Sequence, residues 1–313
     1  MKKTLDIPSD LQRSVISVPP LARRADSTLD RDQNGRLLAH MRSGGVTTFL
    51  YGGNANLYHM APSEFATLLD LFAGLAEEGD WFIPSIGSDY GKALDQVKIL
   101  RSHSFPTAMV LPQRFPFTPS GVATGLRRLA DAFGRPIIAY VKDEGYIEPE
   151  DLARLVKDGA VCAIKYAVVR THPENDPYLE HLLSVIDPKV VVSGIGERPV
   201  IEHLTQFGLR AFTSGSVVVG PRLSTGILHA LLRGDVATAQ RLREPFLPLE
   251  DARDAYSPIR VLHEAVRLAG IADMGPMEPF LDNITDPKIL AETEAAAKSL
   301  LRANAEASAV VAA

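Results

Sequence analysis

The feature that most constrains this chain is a regular alternation of short apolar segments with longer segments of helical period. Short runs that are apolar or β-branched, such as residues 81–86 and 160–166, are typical of buried parallel strands. The segments between them, such as residues 63–77 and 119–133, place apolar residues on one face of a helix. This order predicts repeated strand–helix units and an α/β fold.

Eight strands are predicted, covering residues 16–19, 47–51, 81–86, 108–111, 137–142, 160–166, 189–193 and 211–214. Eight strands suffice to close a barrel. An open doubly wound sheet has the same alternation, but it usually carries a glycine-rich turn after its first strand, and none follows residues 16–19. We therefore predict a (β/α)8 TIM barrel.

The periodicity changes after Gly234, where helical patterns take over at residues 236–243, 256–268 and 287–304. We predict a barrel over residues 1–235 and a C-terminal helical region over residues 236–313. The small side chains of residues 305–313 are expected to fray.

The composition excludes several classes of protein. A formal net charge of -5 offers no basic surface for nucleic acid. No segment approaches the ~20 apolar residues that span a bilayer, and the first residues turn polar where a signal peptide is apolar. We therefore expect no membrane partner and a cytoplasmic location. The single cysteine, Cys162, is predicted to be a buried, inert thiol because it lacks partners for a disulfide or a zinc site.

In such a barrel the reacting groups come from the C-terminal ends of the strands. Lys165 ends an otherwise apolar strand, where burial lowers the pKa of an amine and favours its neutral, nucleophilic form. Most lysines are solvated, and Lys142 competes with Lys165 because it points to the same side of its strand as Tyr140. We favour Lys165, since the acidic residues after Lys142 indicate a solvated loop.

Two further features follow strands. The Tyr140 hydroxyl is able to pass protons, although a rim aromatic is the more frequent role of such a residue. The pair Gly52 and Gly53 allows backbone N–H groups to approach an anion, and an ordinary tight turn explains the pair equally well.

The ordered set of these motifs resembles the dihydrodipicolinate synthase and N-acetylneuraminate lyase superfamily of class I aldolases. The Gly-Gly-Asn-Ala-Asn turn of residues 52–56 stands where the family has Gly-Thr-Thr-Gly-Glu. The strand of Tyr140 resembles that of the family's catalytic tyrosine, and the strand of Lys165 resembles that of its Schiff-base lysine. Residues 193–194 and 213–215 resemble the last two strands, and the resemblance runs from about residue 15 to residue 301.

The resemblance implies a Schiff-base-forming lyase, an aldolase or a dehydratase, acting on a 2-oxo acid such as pyruvate or a 2-keto-3-deoxy sugar acid. Lys165 would form an imine with the ketone and Tyr140 would relay the proton, without a metal or another cofactor. The resemblance also implies a homotetramer. The implied substrate-binding residues are Gly52, Gly53, Asn54, Ser193, Gly194 and Thr213.

The chain departs from the family at three places. The turn lacks the paired hydroxyl residues, and no arginine follows Tyr140 to hold a second carboxylate. Phe115 and Phe117 stand where the family often has tyrosines that complete the proton relay across a subunit contact. These differences argue against true dihydrodipicolinate synthase activity.

Two other hypotheses stay open. A non-catalytic homologue would keep the barrel and bind a small acid, in line with the altered turn. A phosphate-binding barrel enzyme would use backbone N–H groups near Gly215 and Gly220, but it would leave Lys165 without a role.

Overall fold

The predicted strands form one parallel sheet that closes on itself in a computed structural model, which describes residues 1–307. The first seven strands pair in chain order, and the eighth pairs with the first. A bridge between Ser193 and Phe212 joins the seventh strand to the segment before the eighth and completes the ring. The predicted (β/α)8 barrel is confirmed. Its strands are β1 Ile16–Ser17, β2 Thr48–Tyr51, β3 Trp81–Ile86, β4 Met109–Val110, β5 Ile137–Val141, β6 Val161–Tyr166, β7 Val191–Ser193 and β8 Thr213–Ser214.

The helices that surround the sheet often begin with proline. Proline suits the first helical position because its ring presets φ and the helix needs no N–H there. Within residues 1–307, six helices begin this way, at Pro119, Pro149, Pro177, Pro221, Pro258 and Pro287. The helices are α1 Ser9–Gln12, α2 Arg31–Arg42, α3 Phe65–Leu75, α4 Tyr90–Leu100, α5 Pro119–Phe133, α6 Pro149–Lys157, α7 Pro177–Val185, α8 Val200–Thr205, α9 Pro221–Leu232, α10 Val236–Arg243, α11 Leu247–Ala255, α12 Pro258–Leu268 and α13 Pro287–Glu306.

The chain after Gly234 is largely helical as predicted, and it adds α11, which the pattern did not indicate. Helix α13 returns to the barrel, where the Asn304 Oδ1 accepts the backbone N–H of Arg222 at 2.8 Å near the start of α9. Residues 308–313, the end of the predicted region and most of the segment expected to fray, lie outside the described residues. None of the helices within residues 1–307 is long and apolar enough to cross a membrane.

The register of β5 and β6 sets the face of the functional side chains. Tyr140 and Lys165 are register partners, so their side chains lie next to each other on one face of the sheet. Tyr166 follows on the opposite face, where its hydroxyl donates to Asp176 at 2.6 Å and its ring stacks on Tyr178 of α7. Lys165 therefore faces the barrel interior.

Candidate active site

A cavity of about 280 Å³ opens at the C-terminal ends of the strands, where barrel enzymes place their reacting groups. Of the eight residues predicted for the site, six line it: Lys165, Tyr140, Gly53, Asn54, Gly194 and Thr213. A larger groove of about 680 Å³, beside Tyr90 and Phe117, contains neither Lys165 nor Tyr140. The smaller cavity is the candidate active site.

The other two predicted residues, Gly52 and Ser193, do not line the cavity. Gly52 packs inside the barrel, where a Cβ would lie 3.0 Å from the side chains of Ser85 and Met109. Ser193 is buried, and its Oγ lies 2.8 Å from the His203 Nδ1 of α8. Their positions suit packing around the site.

Lys165 reaches the cavity from β6 and is only 6% exposed. Among residues 1–307, no group accepts a hydrogen bond from its Nζ and no acid pairs with it. The Nζ lies 4.2 Å from the centroid of the Tyr140 ring. Burial lowers the pKa of Lys165 to about 7, and the positive charges of Lys142 and Arg253 contribute to this decrease. A large fraction of the amine is therefore neutral near pH 7, and the neutral amine is the form that attacks a carbonyl.

Two tyrosines stand beside this amine. Burial raises the pKa of the Tyr140 phenol, and Tyr58 and Asp143 raise it further. Tyr58, which follows the turn after β2, also lines the cavity, and burial raises its pKa to about 12. Both phenols thus keep their protons near neutral pH and are available as proton donors.

Lys142 lies in the same cavity and is partly buried, which differs from the solvated loop that we expected. Burial lowers its pKa, and the positive charge of Arg114 acts in the same direction. Lys142 follows Tyr140 by two residues, so the strand period turns both side chains toward the barrel mouth. The neighbouring Glu144 turns the other way and pairs with Arg170.

The turn after β2 lines one side of the cavity with Gly53 and Asn54. The Asn54 Nδ2 donates to the backbone carbonyl of Val18 at 2.7 Å, so its amide is held in place. Asn56 stands where the family has glutamate, and it adopts a left-handed φ of 54° that asparagine tolerates well. Its Nδ2 donates to the Glu278 carbonyl at 2.8 Å, away from the reacting groups.

Gly194 is required where the end of β7 meets β6. Its N–H donates to the Tyr166 carbonyl oxygen at 2.6 Å. A Cβ at this position would lie 2.5 Å from the same oxygen, a distance that real side chains do not adopt. Only glycine lets this part of the cavity wall form.

A buried group of acids and serines lies behind the β7 and β8 wall. Glu197 is fully buried and accepts hydrogen bonds from Ser214 at 2.9 Å and Ser224 at 2.6 Å. Burial raises the pKa of Glu197 to about 7, and the negative charge of Glu250 adds to the increase. Glu250 lines the cavity and is held by the Ser216 hydroxyl.

Residues 217–220, in the loop after β8, do not offer free backbone donors to a phosphate. The N–H groups of residues 217–220 donate within the loop, to the Ser214 Oγ and to the carbonyls of Gly215 and Ser216. Gly220 packs under Phe246 and Leu300 rather than facing the cavity. The phosphate-binding hypothesis therefore loses the backbone donors that it expected near Gly220.

Among the described residues, no group of three or more His, Cys, Asp or Glu is arranged to hold a metal ion. Cys162 lies in β6 near Thr107, outside the cavity lining, and burial raises the pKa of its thiol to about 11. A thiol with a raised pKa is a poor nucleophile, in line with the predicted inert role.

A sequence model of the dihydrodipicolinate synthetase family matches residues 106–297, more than half of the chain. The chain belongs to this family. The resemblance read from the ordered motifs is confirmed, and with it the expectation of a class I lyase of 2-oxo acids.

Two relatives of this family member cover most of its length. The probable 5-dehydro-4-deoxyglucarate dehydratase 2 of Streptomyces coelicolor is 24% identical over 283 residues, which cover 88% of this chain and 84% of the relative. The probable 5-dehydro-4-deoxyglucarate dehydratase of Xanthobacter autotrophicus is 23% identical over 295 residues, covering 90% and 93%.

Solved structures of the family share the fold. The dihydrodipicolinate synthase from Bacillus clausii superposes with a TM-score of 0.81 at 20% identity, covering 95% of this chain and 99% of that one. The enzyme from Oceanobacillus iheyensis has a TM-score of 0.82 at 19% identity, covering 94% and 99%.

The sequence patterns missed several residues that line this family member's cavity, among them Tyr58, Glu250 and Arg253. Tyr58 lies shortly after the glycine turn of residues 52–56, so the position of that turn at the barrel mouth could have indicated that Tyr58 lies there too. Glu250 and Arg253 belong to α11, and their place at the barrel mouth depends on how that helix packs. No local signal marks them.

Proposed function

We propose that this protein is a dehydratase of a 2-keto-3-deoxy sugar acid, with Lys165 as the residue that forms the Schiff base. The observation that supports this most is the Lys165 amine, which is buried and has no acid partner within residues 1–307. Its pKa is lowered to about 7, mainly by burial. A buried amine without an ion-pair partner is costly for a fold, and such groups cluster at active sites.

The residues of the cavity divide the chemistry between them. The neutral Lys165 amine attacks the ketone at C2, and loss of water gives an imine that makes the C3 protons acidic. Tyr140 takes up the C3 proton as it gives its own proton to the C4 hydroxyl, so the enamine that forms expels this hydroxyl as water, and hydrolysis of the remaining imine releases the product and frees the amine. Tyr140 lies against the amine and, with its raised pKa, carries the proton that the departing oxygen needs.

The turn after β2 would hold the carboxylate next to the ketone. Gly53 and Asn54 line the cavity, and their turn contains no acidic residue that would repel the carboxylate from the backbone N–H groups. Gly194 and Thr213 complete this wall from the ends of β7 and β8. The roles of these residues are part of the proposal.

We favour dehydration over aldol cleavage because the relatives that cover most of this chain are named as dehydratases of a keto-deoxy sugar acid. Dehydration needs a proton donor near the leaving hydroxyl, and the cavity provides two phenols, Tyr58 and Tyr140. The absence of an arginine soon after Tyr140 is a further difference from dihydrodipicolinate synthase.

Borohydride trapping tests the lysine. Wild-type protein is incubated with pyruvate or with a panel of 2-keto-3-deoxy sugar acids, reduced, and analysed by intact mass and peptide mapping. We expect a stable adduct on the peptide of Lys165, and the acid that gives the most adduct indicates the substrate class.

Lys142→Met is the matched control, because Lys142 is the other lysine of the same cavity. This variant should still be trapped, whereas Lys165→Met should not. An adduct that maps to Lys142 would identify this lysine, directly after β5, as the nucleophile instead of Lys165. Folded wild-type protein that gives no adduct with any acid would refute the lysine mechanism and support a non-catalytic small-acid-binding homologue.

Assembly and location are also proposals. We propose a homotetramer in the cytoplasm, with residues 1–235 as the barrel and residues 236–313 as a C-terminal helical region. Phe115 is 83% exposed and Phe117 is 40% exposed beside the larger apolar groove, which favours a contact between copies there. Sedimentation of wild type and Phe115→Ser tests this, since loss of the contact should lower the molar mass.

A further inference from the structure

We propose that Tyr58 is a catalytic residue that carries the proton of the C2 oxygen, so that the imine steps and the elimination use two different phenols. The inference rests on the proposed function and adds a second acid–base residue to it. In that mechanism Tyr140 already serves C3 and C4. Three observations carry the inference: the unbonded hydroxyl of Tyr58, the place of its ring on the turn after β2, and the contact that fixes its backbone.

The hydroxyl of Tyr58 has no partner in the chain. Tyr58 is half-buried and lines the cavity, and its hydroxyl makes no hydrogen bond within the part of the chain that the structure describes. Outside the cavity, the Tyr178 hydroxyl donates to the Ile147 carbonyl at 2.6 Å, and the Tyr146 hydroxyl accepts the Gln113 N–H at 3.2 Å. Buried phenols usually have such a partner. The Tyr58 hydroxyl is therefore available to a ligand.

The ring of Tyr58 lies on the turn that would hold the substrate carboxylate. A Cβ on Gly53 would lie 3.4 Å from the Tyr58 Cε2, so the ring packs against this glycine. In a 2-oxo acid the carboxylate carbon is bonded to C2, so a carboxylate at this turn brings the C2 oxygen to the same side of the cavity. The Tyr140 ring lies instead against the amine, with its centroid 4.2 Å from the Lys165 Nζ. The two phenols therefore belong to different walls.

Imine chemistry needs a proton at the C2 oxygen in both directions. After the Lys165 amine has added to the ketone and its proton has passed to oxygen, Tyr58 gives its own proton to that hydroxyl. The C2–O bond breaks, water leaves, and the nitrogen lone pair forms the protonated C=N bond, whose positive charge offsets the Tyr58 phenolate. After the elimination, water attacks C2 and gives its proton to this phenolate. The C2 hydroxyl proton then passes to nitrogen, the C–N bond breaks, and the ketone and the free amine return.

The proton of Tyr58 is held until this step. Burial raises the pKa of Tyr58 to about 12, so the phenol starts each turnover protonated near neutral pH. The positive charge of the adjacent imine appears as the proton leaves, and it favours the phenolate at that moment. Tyr58 therefore acts as a donor when the imine forms and as an acceptor when the imine is hydrolysed.

Lys92 of helix α4 fixes the backbone that carries Tyr58. Its Nζ donates to the Tyr58 carbonyl at 2.7 Å and to the Leu57 carbonyl at 3.1 Å. The Leu57 side chain is buried in the core on the same segment. An ammonium on two successive carbonyls makes strong, charge-assisted hydrogen bonds and holds this segment against α4. Lys92 is thus a positioning residue for the phenol.

The other titratable groups of the cavity suit this step less well. The Glu250 carboxylate is held by the Ser216 hydroxyl and by Arg253. Lys142 follows Tyr140 by two residues, so it extends the β5 wall and does not belong to the turn that would hold the carboxylate. Tyr58 is the residue that joins that turn to an unbonded hydroxyl.

The rate of imine formation, measured apart from its extent, tests the inference. Protein and pyruvate are mixed, quenched into borohydride after timed intervals, and analysed by intact mass. Tyr58→Phe should reach the wild-type extent of labelling about 100-fold more slowly, because a general acid changes the rate and not the equilibrium. Tyr90→Phe, at a tyrosine that is 41% exposed outside this cavity, is the matched control and should keep the wild-type rate.

Two further measurements separate Tyr58 from its neighbours. Pyruvate exchanges its C3 protons in D2O through the enamine, so Tyr140→Phe should slow this exchange while the imine still forms at the wild-type rate. Lys92→Met should slow imine formation about 10-fold in the wild type. The same change should have no effect in Tyr58→Phe, because Lys92 acts through that tyrosine.

The outcomes distinguish this inference from the proposed function. If wild-type protein is trapped by pyruvate and Tyr58→Phe forms the imine at the same rate, the inference fails alone. A lower final extent of labelling in Tyr58→Phe would make Tyr58 a structural residue, and slow imine formation in Lys142→Met instead would assign the proton to that lysine; either result overturns the inference. If wild-type protein is trapped by no 2-oxo acid, the proposed function fails, and this inference fails with it.

Discussion

Replacing Lys165 with methionine should stabilise the fold, and the gain should depend on pH in a way that reveals the state of the amine. Lys165 is 6% exposed and burial lowers its pKa from 10.5 to about 7. Methionine has a similar length, carries no charge and adapts to irregular cores. The variant therefore removes the ionisable group with little change in packing.

The magnitude follows from the pKa of Lys165. One pKa unit corresponds to about 1.4 kcal/mol, so holding the charged amine in the folded chain costs about 5 kcal/mol relative to the unfolded chain. Between pH 7 and 10.5 the folded chain binds fewer protons than the unfolded chain, so the stability of the wild type rises with pH in that window. From pH 6 to pH 9 this group alone should add about 3 kcal/mol to the free energy of unfolding of the wild type.

Guanidinium unfolding of wild type and Lys165→Met at pH 6 and pH 9 provides the measurement. Other titrating groups cancel in the comparison, so the extra stability of the variant should be about 3 kcal/mol larger at pH 6 than at pH 9. Lys189→Met, at an exposed lysine, is the control and should show no such change. If the extra stability of Lys165→Met is equal at the two pH values, the amine does not have a lowered pKa and the reasoning is refuted.

Three other changes should have separate effects. Glu197→Gln should change the pH dependence of stability in the opposite direction. Because the pKa of Glu197 is raised to about 7, the wild type loses stability as pH rises from 4.5 to 7. The variant should avoid up to about 3 kcal/mol of that loss, measured as the free energy of unfolding at pH 5 and pH 8. Parallel pH profiles would contradict this. Gly194→Ala should lower the free energy of unfolding by about 1–3 kcal/mol, because the new Cβ would lie 2.5 Å from the Tyr166 carbonyl oxygen. An unchanged denaturation midpoint would show that the end of β7 shifts at little cost. Tyr140→Phe should lower kcat by about 100-fold or more while pyruvate is still trapped on the lysine, and an unaltered kcat would remove Tyr140 from proton transfer.

The barrel and its lysine were predictable because each depends on a short segment. The β6 segment is apolar apart from one lysine, and the strand period alone puts that lysine on the same face as its register partner Tyr140. The turn at Gly53 follows β2 directly, so its place at the mouth follows from the barrel fold. Local pattern and global fold agree at these positions.

Lys142 shows where local reasoning failed. Its acidic neighbours indicated a solvated loop, but Glu144 turns outward to Arg170, and Lys142 remains on the inner side with Tyr140. The direction of a side chain at the end of a strand depends on the partners of the residues beyond it, and those partners come from distant segments.

Arg253 could not have been predicted, because its position depends on tertiary packing. Helix α11 had no clear sequence signal, and it lies over the barrel mouth through buried side chains such as Leu249 and through the contacts of Glu250 with Ser216. The chain lacks an arginine after β5, and the structure instead brings one to the cavity from the C-terminal helical region. The positive charge of an arginine thus comes from helix α11 instead of the segment after β5.

The distribution of charge around Lys165 reconciles two requirements that conflict in a simpler site. A carboxylate beside the amine would raise the pKa of Lys165 and keep it protonated, yet the substrate itself is an anion that must be attracted. In this cavity the resident carboxylate, Glu250, is held by Ser216 and Arg253 rather than by the amine. Arg253 and Lys142 both disfavour the charged form of Lys165 and both attract an incoming acid. In the proposed mechanism the same two cations therefore prepare the nucleophile and favour the substrate, and the stability lost by burying the amine is the cost of that arrangement.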